Sequence, residues 1–191
     1  MFAFKKKYFL IIESIKDLNL RNIKKYNKIL IIYRNIKARD NIKDLIKFRK
    51  ECRLKLIDFY VANDIKLSVL LNSDGIYLSS YNKNFKALNL KKSNFKIIGS
   101  AHNIKEINFK LKQGCSYILL SKLFLVNYDK NSSFLDVIKF NIILSNNHKK
   151  IIPLGGIKSN NLNKLKSINC EGFALLSETK KKPAKIINRL F

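Results

Sequence analysis

Eight short apolar runs, each followed by a stretch of helical periodicity or a brief connector, constrain this chain more than any other feature. The runs are Tyr8–Ile12, Ile29–Tyr33, Asp58–Ala62, Gly75–Leu78, Phe95–Gly99, Tyr117–Leu120, Ile151–Leu154 and Gly172–Leu176. They are rich in Ile, Leu, Val, Phe and Tyr and read as strands. Between them apolar residues return at helical spacing: Ile42, Leu45, Ile46, Phe48 and Cys52; Ile104, Ile107 and Leu111; Leu135, Ile138 and Ile142; Leu162, Leu165 and Ile168. Asn103 is placed to cap the fifth helix, and Ser159 or Asn160 the seventh. Eight strand-then-helix units predict an α/β chain folded as a (β/α)8 TIM barrel. A doubly wound sheet is the rival, but it usually has fewer strands and a glycine-rich first turn; here the first turn, residues 11–18, contains no glycine. At 191 residues the barrel must be compact, with short helices. With no Pro/Gly/Ser linker, residues 1–191 read as a single domain.

Composition narrows the class. A hydrophobic content of 47% excludes a disordered chain. No apolar run approaches the roughly 18 residues of a membrane span. The opening MFAFKKKYFLIIES is read as a first strand rather than a signal peptide, because its apolar run follows the lysines and ends in Glu13 without a cleavage site. The expected location is the cytoplasm. Cys52, Cys115 and Cys170 are widely spaced within or beside apolar segments, so they read as core residues, not a zinc site or a disulfide framework. The net charge of +26 admits two readings: a footprint for nucleic acid or another anionic surface, or drift toward Lys, Ile, Asn and Phe. The lysines are scattered and outnumber arginine, which favours drift. A positive field of this size still favours anionic small substrates.

Candidate chemistry follows from strand ends, where such barrels place their sites. Gly155 and Gly156 follow the seventh strand, where glycines let backbone amides approach an anion; they also suit a plain turn. Leu176 and Ser177 follow the eighth and can complete a phosphate cup. Asp64 ends the third strand and Asp74 stands before the fourth. Taken alone, Asp64 suits a helix cap and Asp74-Gly75 a turn; together they suit a hard divalent cation such as Mg2+ holding substrate phosphates. Ser100 and His102 follow the fifth strand. His148 reads as solvated.

The ordered segments AND (62–64), SDGIYL (73–78), IIGSAH (97–102), QGCSYILLSKLF (113–124), PLGGI (153–157) and EGFALLSE (171–178) together resemble the thiamine phosphate synthase/TenI family. Its patterns ND, ADGxHLGQ, GxSxH, GADYxxxGPxFxTxTK, GGI and GADGxAxxSAI occur in this order. The resemblance covers almost the whole chain. It implies a (β/α)8 barrel and a Mg2+-assisted transfer joining hydroxymethylpyrimidine diphosphate to a thiazole phosphate in thiamine biosynthesis. By position it implies metal ligands at Asp64 and Asp74, substrate contacts at Asn63 and Ser100, and a phosphate cup from Gly155, Gly156, Leu176 and Ser177. Arg34 matches the arginine of the family's RxK, while Ile36 stands at its lysine, with Lys37 one place late. In the sixth loop Val126 and Tyr128 replace two threonines, Asp129 falls on the lysine, and Lys130 comes one place late. Tyr77 replaces a histidine, and Ser79–Ser80 replace GQ. Arg34, Ser100 and Lys130 are therefore the expected catalytic contacts.

Two alternatives stay open: a TenI-like thiazole tautomerase, in which Lys122 or His102 would be the acid or base, and a non-catalytic barrel binding a thiamine precursor or an anionic partner. The expected partners are small phosphorylated heterocycles, without membrane or nucleic acid. A homo-oligomer is left open.

Overall fold

The structure is a computed structural model and describes residues 7–23, 27–36, 40–93, 95–126, 133–147 and 150–176. The eight strands are β1 (Lys7–Ile12), β2 (Ile29–Tyr33), β3 (Asp58–Ala62), β4 (Gly75–Leu78), β5 (Lys96–Ala101), β6 (Tyr117–Ser121), β7 (Ile151–Leu154) and β8 (Gly172–Leu175). They pair in sequence order, all parallel, and β8 closes on β1, with Tyr8 opposite Phe173. The (β/α)8 barrel expected from the alternation is therefore formed.

The strand period of two divides the core into two layers. Along β1, Phe9 and Ile11 point into the barrel with Leu30, Ile32, Tyr60, Tyr77, Ile98, Leu119, Ile152 and Ala174. Tyr8, Leu10 and Ile12 point outward, into the layer beneath the helices. The strands are covered on both sides, so their sequences are mostly apolar rather than alternating.

The connectors are short, as the chain length requires. Among the described residues four are α-helices: α1 (Ile42–Leu54), α2 (Ile65–Leu70), α3 (Ile104–Lys112) and α4 (Asp136–Asn147). Others are single or double turns of 3-10 helix, including Leu162–Ser167. The expected cap Asn103 accepts from the Glu106 amide at the start of α3. At the seventh connector the boundary residue is Asn161, not Ser159 or Asn160, and it makes no side-chain cap bond there.

Helix faces depart from the sequence reading. In α4, Ile138 and Ile142 are exposed, whereas Phe140 and Leu144 are buried. In α3, Ile104 and Leu111 are exposed, and the buried face is Ile107 with Lys110. These helices carry apolar residues on several faces, so periodicity alone does not select one; contact with the strands does. Among the described residues, no helix is long and apolar enough to cross a membrane.

Candidate active site at the carboxyl end of the barrel

The residues that end the strands converge on one cavity of about 930 Å³ at the carboxyl mouth. Arg34 comes from the end of β2, Asn63 from β3, Ser79 and Ser80 from β4, and Ser100 and His102 from β5. Ser121 and Lys122 end β6, Gly155 and Gly156 end β7, and Leu176 ends β8. Six residues expected from sequence are thus brought together: Arg34, Asn63, Ser100, Gly155, Gly156 and Leu176. Lys130 and Ser177 lie outside the described residues, as do Lys37, Tyr128, Asp129 and His148.

The β7 turn is built for close approach. Gly155 and Gly156 have φ of +95° and +68°, and a Cβ on Gly156 would collide with the Phe124 carbonyl. A side chain is thus excluded by both backbone conformation and space. The Asn161 carboxamide closes the turn, donating to the Gly156 carbonyl at 2.8 Å and accepting from the Lys158 amide at 2.8 Å. No acceptor in the turn takes a hydrogen bond from the amides of Gly155 or Gly156.

Arg34 lines the same cavity. Its Nη2 donates to Glu13 Oε1 at 2.9 Å, while its Nε is buried and has no partner among the described residues. The side chain as a whole is 34% exposed, so the rest of the guanidinium, not the buried Nε, is what an anion in the cavity can meet. Ser100 is nearly buried and shares a hydrogen bond with the Tyr77 hydroxyl; burial raises the Tyr77 phenol well above its usual value, so Tyr77 is neutral. His102 stands between two hydroxyls, with Nε2 3.3 Å from Ser80 Oγ and Nδ1 3.0 Å from Ser121 Oγ.

The β3–β4 side is organised around Asn63, held at φ +60°. Its Oδ1 accepts from the Ser79 amide at 3.0 Å, Ser79 Oγ at 3.1 Å and Asn82 Nδ2 at 3.0 Å. Its Nδ2 donates to Tyr81 Oη at 3.3 Å. The carboxamide oxygen is thus fully used in holding the loop after β4. Behind that loop stands Lys110, wholly buried, whose ammonium donates to the carbonyls of Ser79 (2.6 Å) and Asn82 (2.8 Å) and to Gln113 Oε1 (2.9 Å). Burial pushes its pKa down to about 8. Neither Lys110 nor Gln113 was singled out from sequence, because a lysine in a lysine-rich helix reads as solvated. The available signal was spacing: Lys110 follows Ile107 by three, on the face that meets β5.

The expected pair of metal carboxylates is not formed. Asp64 lies at the mouth end of β3 but serves as the N-cap of α2, accepting from the Leu67 amide at 2.9 Å. Asp74 corrects the sequence reading. It precedes β4, so it lies at the opposite, amino end of the barrel. There it accepts from the Phe59 amide at 2.7 Å and from Arg49 Nη2 at 3.0 Å. A five-residue strand such as β3 rises roughly 16 Å, so the two acids sit at the two ends of that length. Among the described residues, no group of three or more His, Cys, Asp or Glu could hold a metal ion. The donor set does not fit a resident two-carboxylate Mg2+ site.

Comparison with known proteins agrees with the barrel and with the family resemblance. The family model described as thiamine monophosphate synthase matches residues 19–179. The chain is 29% identical over 140 residues to a thiamine-phosphate synthase of Prochlorococcus marinus, covering 73% of this chain and 40% of that protein. It is 25% identical over 145 residues to the thiamine-phosphate synthase of Fusobacterium nucleatum, covering 75% of this chain and 70% of that protein. The chain therefore spans well under half of the first of these relatives. Among solved structures, a thiamine phosphate pyrophosphorylase from Pyrococcus furiosus superposes with a TM-score of 0.73 at 16% identity, covering 99% of this chain and 98% of that one. A 3-keto-L-gulonate-6-phosphate decarboxylase from Vibrio cholerae superposes at 0.64 with 13% identity, covering 98% and 99%. At these identities the structural likeness shows the fold alone.

Proposed function

The chain belongs to the thiamine monophosphate synthase family, and from that premise we propose that it joins hydroxymethylpyrimidine diphosphate to a thiazole phosphate. The observation that carries this reading is that Arg34, whose side chain is 34% exposed, lines the same cavity as the Gly155–Gly156 turn. An exposed guanidinium edge and the amides of a glycine turn are donors that suit a phosphate oxygen.

The reaction breaks the bond between the pyrimidine methylene carbon and the diphosphate oxygen, and diphosphate leaves with the electron pair. The thiazole nitrogen lone pair then forms the new C–N bond. In this reading Arg34 offsets the charge growing on the leaving oxygen, with Lys122 and Lys158 supplying positive field from the β6 and β7 ends. Gly155, Gly156 and Leu176 seat the thiazole phosphate, with Ser177 and Lys130 as proposed further contacts. Ser100, held by neutral Tyr77, touches the pyrimidine half. Asn63 acts by ordering the loop beside it. Magnesium dependence is carried to this chain only as a proposal, with Asp64 the carboxylate that would hold the ion at this end, and no step above is routed through a metal. A cytoplasmic location, small phosphorylated heterocycles as partners and the activity itself belong to the same proposal.

A second reading, isomerisation of a thiazole carboxylate phosphate, draws on the imidazole of His102 held between Ser80 and Ser121. The deciding experiment is a coupling assay with both phosphorylated precursors, run with and without Mg2+. Product at a rate that scales with enzyme supports the transferase. Folded protein that yields no product at high concentration overturns it, and precursor binding without turnover would leave a non-catalytic barrel.

A further inference from the structure

We propose that Lys110 is a positioning residue: its buried ammonium clamps the loop after β4, residues 79–84, and through that loop fixes the Asn63 carboxamide at the mouth of the barrel. Three observations carry this. The three donors of the ammonium meet three acceptors, Ser79 O, Asn82 O and Gln113 Oε1, all within 2.9 Å. That match favours the charged form despite its complete burial. Gln113, also buried, adds donations to the carbonyls of Asn82 at 3.1 Å and Asn84 at 2.8 Å, so two side chains one helical turn apart hold the same segment. Finally, the lysine stem crosses β5 at Gly99, where a Cβ would stand 2.9 Å from Lys110 Cδ and 2.8 Å from Cys115 Sγ. Gly99 leaves room for the lysine stem, so that α3 delivers a cation to the loop after the neighbouring strand β4.

The consequence reaches the cavity. Ser79 receives the clamp at its carbonyl and donates to Asn63 Oδ1 through both its amide and its hydroxyl. Asn82 receives it at its carbonyl and donates to the same oxygen through Nδ2. Asn63, Ser79, Ser80 and Tyr81 line the cavity. Releasing the ammonium would free the loop from behind and let this wall of the cavity drift, while the β7 turn on the other side stays in place. A positioning error of this kind weakens one substrate selectively.

The activity arm of the test rests on the proposed function; the exchange arm does not. In the full chain, K110M keeps the length of the stem and removes the ammonium, and N63G removes the carboxamide while tolerating a positive φ. Deuterium exchange across residues 79–84 is expected to quicken by about tenfold or more in K110M, the size of losing charged hydrogen bonds. Exchange in β1 and β2 is expected to stay within about twofold. The KM for the pyrimidine diphosphate is expected to rise about tenfold, with that for the thiazole phosphate nearly unchanged, and the double variant to lose less than the product of the two single losses. Unchanged exchange in 79–84 overturns the clamp. Equal rises in both KM values with multiplicative losses overturn the positioning role and leave a structural one. If the unaltered chain couples no precursors, the proposed function fails, and the exchange result alone decides the clamp. If K110M does not fold, Q113M, which releases Asn82 and Asn84 from the same segment, is read by the same measurements.

Discussion

The two sides of the barrel mouth treat their polar groups in opposite ways. On the β3–β4 side nearly every donor and acceptor is matched within the chain: Asn63 Oδ1 takes three hydrogen bonds, and the loop that supplies them is held from behind by Lys110 and Gln113. At the ends of β2 and β7, the Arg34 side chain is 34% exposed at the cavity, and the amides of the Gly155–Gly156 turn have no acceptor in that turn. The first arrangement builds a wall; the second leaves a site. A barrel that must bind charged phosphates needs both, because open donors bind tightly only when the opposing surface does not move to fill the gap.

Four substitutions test this division, from the largest expected effect to the smallest. G156A forces a Cβ onto a backbone at φ +68° and into the Phe124 carbonyl. It is expected to lower kcat/KM by on the order of 100-fold, about 2.7 kcal/mol at 1.36 kcal/mol per tenfold, chiefly through the thiazole phosphate. A near-normal value would mean that the turn seats no phosphate. R34M removes the open donor and is expected to cost roughly 10- to 100-fold, the worth of a charged hydrogen bond. Its signature is a loss that extra thiazole phosphate does not repair.

D74A is expected to do the reverse. It leaves the Arg49 guanidinium, itself nearly buried, without its carboxylate and removes the acceptor of the Phe59 amide. Stability should fall by about 2 kcal/mol, since the acid is partly exposed and the arginine keeps the Asn72 carbonyl. Activity below the melting temperature should be unchanged. A loss of activity without loss of stability would return Asp74 to the site. D64N is expected to be the mildest: Asn caps as well as Asp, so unfolding should shift by less than about 0.5 kcal/mol. A raised Mg2+ requirement in a coupling assay is the expected effect, and an unchanged Mg2+ titration would leave Asp64 as a cap alone.

Much of this was legible in the chain itself. β2, β3, β4 and β7 have the bounds their apolar runs suggested, because a strand covered on both faces writes most of its length in apolar residues. Gly155–Gly156 could be placed at the β7 turn from sequence because two adjacent glycines directly after a strand mark a backbone that other residues rarely adopt. The helix faces were less legible. Ile138 and Ile142 look like a core stripe at i and i+4, yet Phe140 and Leu144 are the ones inside. Asp74 failed for a related reason. Its position beside Gly75 shows that it flanks β4 but says little about chemistry, and a carboxylate at the amino end of a parallel strand sits a whole strand length from the mouth.

By itself, then, the sequence determined the eight-unit alternation, the closed parallel barrel it implies and the glycines at the β7 turn. These depend on local composition and on the two-residue period of strands. Only the tertiary structure decided which charges are partners and which are open. Arg49 with Asp74, Lys110 with the Ser79 and Asn82 carbonyls, and the partly exposed guanidinium of Arg34 at the cavity involve groups whose roles are set by what barrel closure places opposite them. In a chain of net charge +26 nearly every cation looks alike in sequence, and burial against particular acceptors is what tells them apart.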